Sequence, residues 1–98
     1  MSASLDMFMV SLACDCPPRR LPRPLAGLWL GMKGRWGDAH DAVEDDDHWE
    51  AALVHAWLHR AAGDDGNALY WYRRAGVTPG CGDYDEEGRC IARLLIDG

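Results

Sequence analysis

The chain has 98 residues, 48 % of them hydrophobic, and a formal net charge of −6. That length makes one domain with a modest core. An acidic balance excludes nonspecific nucleic-acid binding, which needs a basic surface, and no apolar stretch approaches the roughly 20 residues of a membrane span. In chain order, Met1 to Ala13 can form one short helix. No basic residue precedes its apolar run, so a secretory leader is not expected. Four of the five prolines follow, at 17, 18, 22 and 24, interleaved with Arg19, Arg20 and Arg23. Each proline restricts itself and its predecessor, so residues 1–24 are expected to be a Pro/Arg-rich segment, extended or poorly ordered.

A helical domain is expected over 25–98. Leu25 to Lys33 reads as a helix with Leu25, Leu28 and Trp29 inward, ended by Gly34. Trp36 to Glu44 reads as the next, with Trp36, Ala39 and Val43 on one face. Glu44 to Asp47 is a run of four acids, expected to be a solvated loop and helix cap.

The block from His48 to Gly76 is the most informative part of the chain. Asp47 with Glu50 suggests a capping box, and Trp49, Ala52, Leu53, Ala56 and Trp57 recur at helical steps. Gly63 should end this helix with a positive φ. Asp64 or Asp65 should cap the next, which carries Ala68, Leu69, Tyr72 and Ala75 on one stripe. Arg73 and Arg74 suit its C-terminal dipole end, and Gly76 stops it. A last helix is expected from Tyr84 to Ile96, capped by Asp83 or Asp85, with Ile91, Leu94 and Leu95 inward and folded back over the hairpin. No segment alternates at period two, so no sheet is expected. The expected core comprises Leu28, Trp36, Val43, Trp49, Leu53, Ala56, Trp57, Ala68, Leu69, Tyr72, Ile91 and Leu95.

Sliding residues 25–44 by 29 positions lays Gly34 on Gly63, Gly37 on Gly66 and Ala39 on Ala68. Two similar hairpins stacked side by side is the economical reading. The fold class is therefore all-α, with four to five short helices in two stacked hairpins and a C-terminal capping helix.

The second hairpin resembles a tetratricopeptide repeat. The Gly63-Asp64 turn, Ala68, Tyr72 and Ala75 match the second half of that family's pattern, with Pro79 near the family's closing proline. The first helix departs from it, carrying Ala52, His55, Ala56 and His59 where the family favours Trp or Leu, Leu, Gly and Tyr. The block HAWLHR…GD.NA.YWYRRAG also resembles small bacterial proteins of this kind. The resemblance implies an interaction module and no enzymatic activity.

Among candidate site residues, His55 and His59 lie four apart on one helix and share a face, a spacing that suits one metal. His48 falls on the same arc, seven positions before His55. Two histidines need further ligands, which His40 or a cysteine could supply only through the fold. Without them the imidazoles read as half-buried packing residues, so no metal or cofactor is assigned. Cys14-x-Cys16, Cys81 and Cys90 do not make paired zinc knuckles, and in a cytoplasmic setting, the expected one, they are thiols. Tyr70, Trp71, Arg60 and Arg74 form an aromatic-plus-arginine group of the composition enriched at interfaces. The serines lie only at 2, 4 and 11, and no phosphate-cradling glycine loop is present, so catalysis is not expected. The expected function is a protein- or peptide-binding or self-associating module acting through His55, His59, Arg60, Tyr70, Trp71 and Arg74, with no nucleic-acid or membrane partner. The alternative is a metal- or small-ligand-binding protein using the His48/His55/His59 face.

Overall fold

Three glycines end helices by the same device. Gly34, Gly63 and Gly76 have φ of +78°, +79° and +70°. In each case the next residue's amide bonds five residues back, Arg35 to Leu30, Asp64 to His59 and Val77 to Tyr72. This is the Schellman closure, which satisfies carbonyls the helix leaves orphaned. The first two turns are related by the 29-residue slide. The residues that open the following helices match as well, Arg35 at φ −93°, ψ 67° and Asp64 at φ −95°, ψ 73°. The weak sequence repeat is thus a repeated backbone turn.

The computed structural model describes residues 2–79 and 82–97, with side chains from residue 5 onward. Over them it contains six helices and no strand: α1 (Ser2–Ser11), α2 (Arg23–Met32), α3 (Trp36–Val43), α4 (Trp49–Ala61), α5 (Asp65–Ala75) and α6 (Tyr84–Asp97). The count exceeds the expected four to five because the N-terminal residues form α1. That helix packs on α6, and its Phe8 is buried. Within 12–22 the backbone makes turns and extended stretches, as the prolines dictate. The capping box expected at Asp47 does not form. His48 is the N-cap residue and makes no side-chain cap, while Asp46 accepts the His48 amide at 2.9 Å. The reciprocal box sits on α6 instead, where Glu86 N donates to Asp83 Oδ1 and Asp83 N to Glu86 Oε1.

Helix α4 is the centre of the molecule. It packs along α5 and also touches α2, α3 and α6. Ala51 through His59, nine consecutive residues, are all buried. Close approach of α2 depends on missing side chains. A Cβ on Gly27 would lie 2.7 Å from Val43 Cγ1, and one on Gly31 would lie 2.5 Å from the Trp57 ring. Gly31 therefore belongs inside a helix, against the indole at the core.

Helix α6 closes the opposite side through polar anchors as well as Ile91 and Ala92. Trp57 Nε1 donates to the Tyr84 carbonyl at 3.0 Å, and the two rings stack with centroids 4.2 Å apart. Tyr84 donates its hydroxyl to the Gly31 carbonyl at 2.8 Å. Glu87, 2 % exposed, accepts from the Tyr72 hydroxyl and the Arg60 guanidinium. Burial and that carboxylate push the Tyr72 hydroxyl well above its ordinary pKa.

Most of the expected core is buried, Leu53 and Trp57 included. Trp49 at 42 % and Leu69 at 43 % exposed are corrections, as is Leu94 at 39 %. Trp49 opens α4, before the stretch that other helices enclose. Leu69 stands beside Ala68 on α5, whose buried side carries Ala68, Tyr72 and Ala75. Ile91 rather than Leu94 is the α6 residue buried under the hairpin.

Replacing Gly31 by Ala should destabilise by about 1–3 kcal/mol, the usual cost of overpacking. Helix propensity alone favours Ala by about 1 kcal/mol. A urea midpoint that rises in the variant would mean the α2–α4 approach is looser than described. Leu53→Ala should cost about 2–5 kcal/mol in the same assay.

Candidate metal-ligating site

Because α4 is enclosed, its polar residues meet neighbouring helices rather than water. His55 and His59, one turn apart, are 4 % and 8 % exposed. They face α3, which contributes His40. The three residues place one ligand atom each so that all lie within 4.8 Å of one another. His40 Nε2 and His55 Nε2 are 3.0 Å apart. The imidazoles of His55 and His59 stack with centroids 4.8 Å apart, and His40 meets both edge-on.

Two indoles brace the cluster. Trp36, one turn before His40 on α3, stacks on it with centroids 5.0 Å apart. Its own Nε1 donates to the Leu58 carbonyl at 2.7 Å, which fixes the ring. Trp71 on α5 stacks on His55 at 4.0 Å and 14°. The Arg74 guanidinium lies 5.2 Å from the Trp71 ring centroid and donates to the Tyr70 hydroxyl.

Proton placement follows from the partners. His40 Nδ1 is 3.3 Å from the Glu44 carboxylate, one turn on along α3. That charge favours a proton on Nδ1 and leaves His40 Nε2 bare. His55 then donates from Nε2, and its Nδ1 keeps a lone pair. That atom is buried and has no hydrogen-bond partner. His59 Nδ1 is 3.9 Å from Asp64. Burial, with His40 and His59 adding like charge, pushes the His55 imidazole down from 6.5 to about 4. Burial likewise lowers His59. Burial thus favours the uncharged form of His55 and His59, the state in which imidazole binds metals.

The sequence pairing of His55 with His59 holds, and its third member is corrected. His48 is the α4 N-cap residue, its side chain 81 % exposed and bonded to Asp46 at 2.6 Å. A residue at the cap does not continue the helical face, so a spacing of seven from His55 misleads there. His40 takes its place. The signal that could have found it is Trp36-x-x-x-His40, one face of a short helix in the neighbouring hairpin. Of the expected rim residues, Arg60 bonds Glu87 and the Gly82 carbonyl, tying α4 to α6. Tyr70 is 51 % exposed and flanks the cluster through Trp71. Cys14, Cys16 and Cys90 are exposed thiols and do not join the histidine cluster. Cys81 lies outside those residues.

An apolar groove of about 560 Å³ lies elsewhere, lined by Met7, Phe8, Leu21, Leu25, Leu95 and Ile96 among others. No helix among the described residues is long and apolar enough to cross a membrane. Comparison with protein-family models, with curated proteins and with solved structures finds no match for this chain.

The apoprotein should lose stability as pH falls from about 6.5 toward about 4. The unfolded chain protonates His55 first, so the contribution is complete above its unfolded value and declines through this window. His55→Leu should flatten the slope, measured as urea midpoints on either side of it. Equal slopes in the two proteins would show that His55 is not held neutral by burial.

Proposed function

We propose that this protein binds a borderline divalent transition metal of the zinc type on His40, His55 and His59. The carrying observation is the convergence of three imidazoles from two helices, two of them buried, with ligand atoms within 4.8 Å. Two ring nitrogens facing at 3.0 Å can be bridged by one proton or by one cation. Zinc–nitrogen bonds of about 2.0–2.1 Å put two ligands about 3.3 Å apart on a tetrahedral ion, so the His40–His55 pair needs only a slight opening while His59 moves inward. An all-imidazole set suits Zn, Cu, Ni or Fe rather than Mg or Ca, which take oxygen. Glu44 behind His40 Nδ1 supplies the carboxylate partner that orients a ligating histidine and raises its basicity. Trp36 and Trp71 hold two of the rings in place, which lowers the cost of ordering them.

Tryptophan fluorescence provides the test, since two of the five indoles touch the ligands. Cu(II) or Ni(II) should quench it saturably at one ion per chain, and Zn(II) should compete. His40→Ala should weaken binding by more than the about 10–100-fold typical of an outer-shell change, and Glu44→Gln by about 10-fold. His48→Ala should leave affinity unchanged. Titration calorimetry with Zn(II) that detects no binding, or His40→Ala binding like wild type, would refute the site.

A second reading, a tetratricopeptide-like interaction module, is favoured by the two helix pairs and by Tyr70, exposed beside Trp71 and Arg74. On this reading Tyr70→Ala shifts a concentration-dependent mass in light scattering. A protein monomeric at all concentrations, with and without the change, removes self-association from it.

A further inference from the structure

Resting on the metal reading above, we propose that the ion held by His40, His55 and His59 keeps a fourth coordination position open to solvent, where it takes a small exogenous anion such as azide, thiocyanate or a monocarboxylate. The donor group holds three residues among those described, one short of the four that a closed tetrahedral site uses. Structural zinc sites fill all four positions from the protein, and open sites stop at three. The ligand set is also uncharged, so a dication there keeps its full charge. Two carboxylates stand beside the rings. Glu44 is 3.3 Å from His40 Nδ1 and Asp64 is 3.9 Å from His59 Nδ1. They orient imidazoles and offset charge at a distance, and an anion in the fourth position completes the neutralisation.

Access follows the burial gradient across the three rings. His55 is the closed end, while the side chains of His40 and His59 are 21 % and 11 % exposed. The open position therefore faces the His40–His59 edge. The indoles limit what enters, because Trp36 stacks on His40 and also meets His59 edge-on at 5.7 Å, and Trp71 covers His55. A ligand of a few atoms fits between such walls and a bulky one does not.

Cobalt(II) reports both coordination and exchange through its visible absorption bands. Full-length protein loaded with Co(II) should show the intense bands of a four-coordinate ion. Azide, and separately acetate, should then shift them saturably at one site per ion. A bulky carboxylate such as diphenylacetate should shift them at least about 10-fold more weakly. Co(II) bands that form but stay unmoved by azide would overturn the open position while leaving the metal site intact. If they stay unmoved in wild type and become responsive in Asp64→Asn, Asp64 is the fourth ligand and the proposal is wrong. Failure to form the bands at all would overturn both the open position and the metal site beneath it.

Discussion

The enclosure of α4 is the constraint on which the rest depends. A helix buried on one stripe can turn its polar residues to water. Helix α4 has no such side between Ala51 and His59, so every polar atom there needs a partner inside the protein. Trp57 finds the Tyr84 carbonyl, and His55 finds His40. Arg60, just past the enclosed stretch, reaches the buried Glu87. Two of these partners lie on α6 and one on α3, so the polar groups of α4 fix the positions of both helices. A single unpaired buried group costs about 1–3 kcal/mol, comparable with a sizeable share of the stability of a domain this small.

Enclosure also requires neighbours that come close, and small residues permit it. Gly27 and Gly31 sit one turn apart on α2 and let that helix rest on Val43 and Trp57. Gly88 does the same on α6, where an added Cβ would stand 3.0 Å from the Trp57 ring. Trp57 is thus packed between glycines of two helices. Its bulk fills the space that their missing side chains leave, which is how a 98-residue chain achieves a fully buried indole.

The local fold was largely readable from the chain, because its signals are local. Gly34, Gly63 and Gly76 end helices where their sequence positions indicate, and the shared turn geometry is visible as a 29-residue repeat. Errors arose where tertiary packing decides. Gly31 has a poor helix propensity, and its place inside α2 is explained only by Trp57, which occupies the space of a side chain there. Trp49 and Leu69 have the right periodicity and are still exposed, since no helix among the described residues encloses those positions. The site was half legible for the same reason. His55 and His59 share a helix, and their spacing alone brings them together. His40 joins them only because α3 packs on α4, and its spacing from Trp36 marks a helix face without encoding that contact.

The histidine cluster stands at the seam between the α2–α3 and α4–α5 helix pairs, and this gives it leverage over the fold. His40 belongs to the α2–α3 pair, His55 and His59 to the α4–α5 pair. In the metal-free state one proton between His40 and His55 is a polar link across the seam, beside the Trp36 bond to the Leu58 carbonyl, and His55 Nδ1 is left unmatched. A cation bound to all three replaces that link with bonds from both hairpins to one centre. Since the three rings converge only when the hairpins are docked, the folded state alone presents the site. Binding free energy then becomes docking free energy, about 2.7 kcal/mol when the free ion stands at a hundred times its dissociation constant. The seam that leaves His55 Nδ1 unmatched is therefore also a place where a ligand stabilises the docked fold directly.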